Sequence, residues 1–290
     1  SAECAAALAL ARQSGGAREE AKARICLGEV DYNQFRDHRG ALAHYQAAEP
    51  VARRAGDRRG EAEALLYQGW VHSDLRELDR AAECYRRARA LWTPSDDRRG
   101  GAMLTLAVAR LQQRRGEYQD ALDGYRRAVA LLEPSGDDFW LASTLTGIAD
   151  VHLAMGDAAG SLEYWKRALA LFEKAGLGNL VTEVLMTIGA TYLALGDDRA
   201  ALPYLQQADD LTAELGSDRW RPKTLRYLAV VDLLRHQPAQ ARSHLEQSLA
   251  IQRKLGDARE PGLAARTSAD MGDTHLLLGD SRTAARWFDE

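Results

Sequence analysis

The same pattern of residues returns along this 290-residue chain at intervals of forty positions. Each of five copies has a small residue in its first half, at Gly69, Ala109, Ala149, Gly189 and Ala229. A second small residue follows twelve positions later, and a large residue follows after four more, at Tyr85, Tyr125, Trp165, Leu205 and Leu245. Such a period indicates a repeat protein, in which each copy buries its apolar face only by packing against its neighbours.

Each copy has the pattern of two helices joined by a short turn. In LTGIADVHLA and SLEYWKRALALFEKA, apolar residues recur at steps of three and four, which is the spacing of one helix face. Gly-Asp or Gly-Glu follows the first helix. Glycine suits the left-handed conformation that ends a helix, and an acidic residue suits the exposed N–H groups that begin the next one. The sequence therefore predicts an all-α chain of stacked helical hairpins.

The repeat positions also predict the boundaries. We expect a single array over 1–290 that begins with the second helix of a truncated copy at 1–15. The later copies occupy 21–60, 61–100, 101–140, 141–180, 181–220, 221–260 and 264–290. Because the chain begins without Met and stops within an apolar pattern, the sequence favours a fragment of a larger protein.

Prolines mark further helix positions. Pro222, Pro238 and Pro261 fall where helices are predicted to begin, a place that tolerates a missing N–H. Pro50 and Pro203 fall inside predicted second helices. At each of these two we expect a kink or a shifted helix end, because proline removes a backbone hydrogen bond.

The order of small residue, turn, Ala, aromatic residue, Ala, and then Pro or Gly resembles the tetratricopeptide repeat (TPR) over essentially the whole chain. The ordinary repeat has about 34 residues, so the copies here have longer helices. This variant resembles the arrays of MalT-type bacterial transcription regulators, of the LGN and kinesin light chain families, and of bacterial proteins that join such repeats to a CHAT peptidase domain. The resemblance implies a right-handed superhelical solenoid of about seven stacked helix-turn-helix hairpins.

The resemblance also implies a function and a site. Such arrays are non-catalytic scaffolds that bind a peptide or protein segment, or another domain of the parent chain, in a concave groove lined by the first helices. The positions that match the groove, with the adjacent Arg114, are Lys22, Glu29, Glu63, Trp70, Arg110, Gln113, Arg114, Asp150, Glu183, Met186, Lys223 and Arg226.

Two alternatives stay open within this set. Trp70 either anchors a partner or fills a local gap beside Tyr67. Arg110, Arg114 and Arg226 either clamp an acidic segment or a terminal carboxylate, or are neutralised by acidic groove residues such as Asp150 and Glu183.

Composition and motifs exclude several function classes. The net charge is −4, so no concentrated basic face for nucleic acid is expected. No apolar stretch reaches the ~18 residues of a membrane span. The sequence has no phosphate-binding loop, no CxxC and no HExxH. We therefore expect no enzyme, no cofactor, no metal, no nucleic acid and no membrane. His72, His152 and His275 share one repeat position with Tyr192, which indicates a half-buried polar ring.

The cysteines and the termini support the remaining expectations. Cys4, Cys26 and Cys84 are odd in number and widely spaced, which favours small apolar core residues in a reducing, cytoplasmic environment. The alternative function is a sensor for a small ligand or peptide inducer that controls an attached effector, with Trp70, Arg110 and Asp150 as one cluster. Self-association through exposed terminal repeats is a further alternative.

Overall fold

The structure, a computed structural model, describes residues 2–92, 98–216, 218–255 and 262–289. Over these ranges the chain forms fifteen α-helices and no strand. It divides into two compact units, Ser1–Val151 and His152–Glu290, which we call unit 1 and unit 2.

In unit 1 the helices are α1 Ala2–Ser14, α2 Ala17–Val30, α3 His38–Arg54, α4 Arg58–Asp74, α5 Leu78–Leu91, α6 Arg98–Arg115, α7 Tyr118–Leu132 and, running past its end, α8 Asp138–Ala154. In unit 2 they are α9 Ala158–Lys174, α10 Gly178–Ala194, α11 Asp198–Glu214, α12 Arg221–Leu234, α13 Pro238–Leu255, α14 Leu263–Leu277 and α15 Ser281–Asp289.

Successive helices pack as hairpins. In unit 1, α2 packs on α3, α4 on α5, and α6 on α7. In unit 2, α10 packs on α11, α12 on α13, and α14 on α15. The prediction of an all-α chain of helical hairpins is confirmed.

The turns form as the glycine and acidic residues predict. Gly156 has a φ of 82°, the left-handed conformation that ends α8. Next to it, Asp157 accepts a hydrogen bond from the N–H of Gly160 at 2.8 Å. Asp197 caps α11 in the same way, by accepting from the N–H of Ala200 at 2.9 Å. One dipeptide therefore both stops a helix and begins the next.

The small residue of each first helix allows close packing by the large residue of the second. The ring of Tyr85 lies directly against Gly69, and the ring of Tyr45 lies against Gly28. A Cβ atom at either glycine would overlap ring atoms. Tyr45 and Tyr85 are almost fully buried. In these two copies the hairpin core therefore requires glycine at this position.

The prolines confirm the prediction at helix starts, and inside helices they do not shift the helix ends. Pro238 begins α13, and Pro222 lies in the first turn of α12. Pro261 lies outside the described residues. The predicted shift of a helix end at Pro50 and Pro203 is wrong, since α3 continues to Arg54 and α11 to Glu214.

A solvent-facing location explains this tolerance. Pro50 and Pro203 are both exposed, as are Gln46 and Arg199, the residues whose carbonyls lose a helical partner. Water can satisfy these carbonyls, so the lost hydrogen bond does not end the helix.

The cysteine prediction is wrong for two of the three residues. Cys4 of α1 and Cys26 of α2 form a disulfide, with their Cα atoms 5.9 Å apart. Their separation of 22 residues carries no motif, and only the packing of α1 on α2 brings them together. Cys84 is a free, buried thiol, as predicted. Burial raises its pKa to about 11.

Candidate functional site

The predicted residues of unit 1 lie on its first helices. Glu29 is on α2, Trp70 on α4 and Arg110 on α6. Hydrogen bonds and ring contacts join these helices side by side, and we call the surface that they form the first-helix face. Asp150, on α8, is exposed at the end of unit 1.

Polar contacts connect α2, α4 and α6 across this face. The hydroxyl of Tyr67 donates to Glu29 at 2.9 Å. Asp74 accepts from the hydroxyl of Tyr32 and, at 2.7 Å, from the guanidinium of Arg114. Burial, and then the hydrogen bond to Asp74, raise the pKa of Tyr32. Arg114 is thus neutralised by Asp74, which the sequence analysis did not single out.

Trp70 lies in an aromatic cluster at the centre of the face. Its ring centroid is 5.0 Å from that of Tyr67 and 5.5 Å from that of Trp140, which is on α8. Trp70 is half-buried, and its indole N–H finds no acceptor in the described part of the chain. The ring of Trp70 therefore packs beside Tyr67, while its indole N–H makes no hydrogen bond within the described residues.

Arg110 differs from the other arginines of the predicted set. It donates to the hydroxyl of Ser143 on α8 at 2.6 Å. No ion pair joins Arg110 to a carboxylate within the described ranges. Gln113, one turn further along α6, accepts a hydrogen bond from the hydroxyl of Tyr125. The charge of Arg110 therefore has only a neutral partner.

The other unit 1 candidates lie near the start of the first helices. Lys22 is exposed and Glu63 is half-buried. Both line a shallow depression together with Arg18 and Asp57. Glu63 lies one turn before Tyr67 on α4, next to the aromatic cluster.

The unit 2 candidates are more scattered. Met186 is 3% exposed and belongs to the core, so it offers no surface to a partner. Arg226 is paired with Asp270 of α14, with Nε and Oδ2 2.6 Å apart. Burial raises the pKa of Asp270, and the charge of Arg226 opposes that rise. Glu183 and Lys223 are half-buried.

A comparison with protein families identifies the chain. The model described as the MalT-like TPR region matches residues 1–264. The chain belongs to this family. No match was found among curated protein sequences.

Solved structures share the fold of this MalT-like TPR chain. A signal transduction ATPase with numerous domains and a TPR sensor, from Pyrococcus horikoshii, has a TM-score of 0.77 at 15% identity, covering 93% of this chain and 41% of that chain. BtubC from P. vanneervenii has a TM-score of 0.65 at 20% identity, covering 74% and 87%. A Rap protein complexed with Competence and Sporulation Factor has a TM-score of 0.64 at 17% identity, covering 94% and 73%. This chain thus spans less than half the length of the first of these proteins.

The histidines of the shared repeat position make structural contacts in this TPR chain. Nδ1 of His72 lies 2.6 Å from Oε2 of Glu77, and Nδ1 of His152 lies 2.8 Å from Oδ2 of Asp157. Each acidic residue follows its histidine by five positions and begins the next helix. Among the described residues, no group of three or more His, Cys, Asp or Glu side chains could hold a metal ion. The ring at this position links a first helix to the following turn.

Sequence reasoning missed two residues of the first-helix face, Asp74 and Trp140. Trp140 could have been noticed, because it is a large aromatic residue at a repeat position that holds glycine in two other copies, at Gly60 and Gly100. Asp74 carried no such signal, since only the packing of neighbouring first helices places it beside Arg114.

Proposed function

We propose that this TPR chain is a non-catalytic interaction domain that binds a peptide or protein segment on the first-helix face of unit 1. It would serve as the regulatory or sensor part of a larger bacterial protein, of the transcription-regulator or CHAT peptidase type. The segment comes either from a separate protein or from another domain of the parent chain.

The observation that carries the proposal is the pairing of Trp70 and Arg110 on one face. Trp70 contacts Trp140, and Arg110 contacts Ser143, one turn further along α8. Trp70 supplies an aromatic surface and an unused N–H, and Arg110 supplies a positive charge that forms no ion pair within the described residues. Aromatic residues and arginine are the side chains that most often dominate binding. A segment with a bulky apolar residue next to an acidic residue fits both groups.

The comparisons support a segment as the partner class. One structural neighbour is a Rap protein complexed with Competence and Sporulation Factor, and another carries its TPR array as a sensor. Both share the fold of this chain at low identity, so they suggest the kind of partner and leave its sequence open.

The test is a selection of peptides from a displayed library on the intact chain. Selected peptides are then measured by calorimetry against Arg110→Gln, which keeps a hydrogen-bond donor near Ser143 and removes the charge. We expect binding to weaken about tenfold, as for one charge-assisted contact. The matched control is Arg86→Gln on α5, whose arginine already pairs with Glu83.

Two results would contradict this proposal. One is a set of selected peptides with no preference for an acidic residue. The other is equal binding by the Arg110 and Arg86 variants, with both retaining the melting temperature of the parent chain.

A small-ligand sensor is the second candidate, and the buried, unused N–H of Trp70 favours it. A small polar ligand can satisfy such a group more completely than a peptide side chain can. A ligand that raises the melting temperature of the parent chain, and not that of Trp70→Phe, would support this candidate.

We also propose a cytoplasmic location, in line with the family resemblance. In a reducing cytoplasm the disulfide between Cys4 and Cys26 would be reduced to two free thiols in most molecules. Rapid alkylation of cells before lysis, followed by peptide mass spectrometry, measures this directly. A fully oxidised pair would contradict the proposed location.

A further inference from the structure

Unit 1 also contains an apolar recess, on the opposite side of α6 from Arg110. It has a volume of about 400 Å³ and lies between α5, α6 and α7. Its apolar lining includes Trp92, Leu104 and Leu131, and three arginines also line it. Gly101, which lines the recess, is nine positions before Arg110 on α6, which is two and a half helical turns, so the two residues lie on opposite sides of the helix.

A shortened second helix accompanies this recess. Helix α3 continues through Ala52 to Arg54, whereas α5 ends at Leu91, forty positions after Val51. Trp92, at the position that corresponds to Ala52, is extended with φ −81° and ψ 125°. Its ring lies against Gly100, where a Cβ would overlap it. Trp92 thus becomes a wall of the recess, and its indole N–H finds no acceptor among the described residues.

The arginines around the recess differ from their immediate neighbours. Arg86, Arg99 and Arg126, on α5, α6 and α7, pair with Glu83, Asp137 and Asp123. The recess arginines are Arg89, Arg98 and Arg127, on the same three helices. None of these three makes an ion pair in the part of the chain that the structure describes. Three arginines without an ion pair among the described residues therefore line the apolar recess.

We propose that this recess binds a small organic carboxylate with an apolar body, of the class of medium-chain fatty acids. The chain would pack against Trp92, Leu104 and Leu131, and the guanidinium groups would bind the carboxylate, which they match in geometry. A volume of about 400 Å³ is within the usual range for small-ligand sites. This site is separate from the first-helix face, so the proposal does not depend on the proposed function.

Octanoate is the probe, and calorimetry with the intact chain is the measurement. We expect saturable binding at one site, and binding at least about tenfold weaker for the neutral analogue 1-octanol and for acetate, which lacks the apolar body. The variant Arg89→Gln/Arg98→Gln/Arg127→Gln should lose at least about tenfold in affinity. The matched control Arg86→Gln/Arg99→Gln/Arg126→Gln removes the same charge from the same helices, and it should bind like the parent chain.

A second variant tests the recess without changing charge. Gly101 lines the recess, and a Cβ at this position meets nothing within 4 Å. Gly101→Leu therefore places a side chain in the empty space, and it should abolish octanoate binding while retaining the helical circular dichroism spectrum. No binding by the parent chain, equal binding of octanoate and 1-octanol, or unchanged binding by the recess variants would each overturn the proposal.

Discussion

At the scale of single residues, the chain distinguishes glycines that packing requires from glycines that it does not. Gly69 and Gly101 both lie inside first helices of unit 1. A Cβ at Gly69 would overlap the buried ring of Tyr85, whereas a Cβ at Gly101 would stand in open space. Only the first glycine serves close approach of two helices.

This difference predicts opposite effects for the same substitution. Gly69→Ala should lower the free energy of unfolding by about 1–3 kcal/mol through overpacking. Gly101→Ala should raise it by about 1 kcal/mol, because alanine has the better helix propensity. Urea denaturation measures both. Equal effects of the two substitutions would show that the Tyr85 ring moves aside freely.

An acidic cap predicts a pH dependence. The N–H of Gly160, and then His152, hold the pKa of Asp157 below its ordinary value of 3.8. The folded state therefore favours the charged form more than the unfolded state does. The resulting stability is complete above the ordinary pKa and is lost as pH falls through the lower, folded value.

Asp157→Asn tests this dependence, because asparagine still accepts the capping hydrogen bond and cannot titrate. We expect the parent chain to lose melting temperature between neutral and acid pH more steeply than the variant does. If the curves of melting temperature against pH were parallel for the two proteins, the acid sensitivity would come from other carboxylates.

At the scale of helices, α1 depends on few contacts besides its disulfide. Of its residues only Cys4 and Ala11 are buried. The disulfide joins cysteines that are 22 residues apart. A cross-link that closes a loop of this length stabilises a fold by about 3 kcal/mol in the chain-entropy model. The disulfide is therefore expected to account for much of the order of α1.

Reduction should release α1 and leave the other helices in place. We expect faster amide hydrogen exchange over residues 2–14 after reduction, and the same change in Cys4→Ser/Cys26→Ser. Cys84→Ser is the control, since Cys84 is a free thiol on α5. Unchanged exchange in α1 would mean that its packing on α2 suffices.

At the scale of the whole molecule, contacts follow the order of the chain. Within each unit, helices pack chiefly on the helices directly before and after them. In such an array stability is approximately the sum of the repeats and their nearest-neighbour interfaces. A destabilising substitution in one hairpin should therefore affect that hairpin and its neighbours more than distant helices.

Hydrogen exchange of Gly69→Ala measures how far such a defect extends. We expect the largest increase in α4 and α5, a smaller one in α3 and α6, and a progressive decline further along the chain. A uniform increase in every helix would instead indicate a single cooperative unit.

The sequence was informative wherever one residue type meets a local backbone requirement. It placed the left-handed turn at Gly156, the cap at Asp157 and the close approach at Gly69, since each depends on residues within one hairpin. It left open whether α3 ends near Pro50, because tolerance of an internal proline depends on whether the freed carbonyl faces water. It also identified Trp70 and Arg110 as candidates, but not which groups they contact.

The sequence by itself determined that this chain is an array of helical hairpins, because the forty-residue period records the contacts that every copy repeats. Only the tertiary structure decided which charges are already paired, since Arg114 pairs with Asp74 whereas Arg110 donates to the hydroxyl of Ser143 and forms no ion pair within the described residues. It likewise decided the disulfide between Cys4 and Cys26 and the recess beside Trp92. These features depend on side chains from different hairpins, and their distances follow from packing rather than from spacing along the chain.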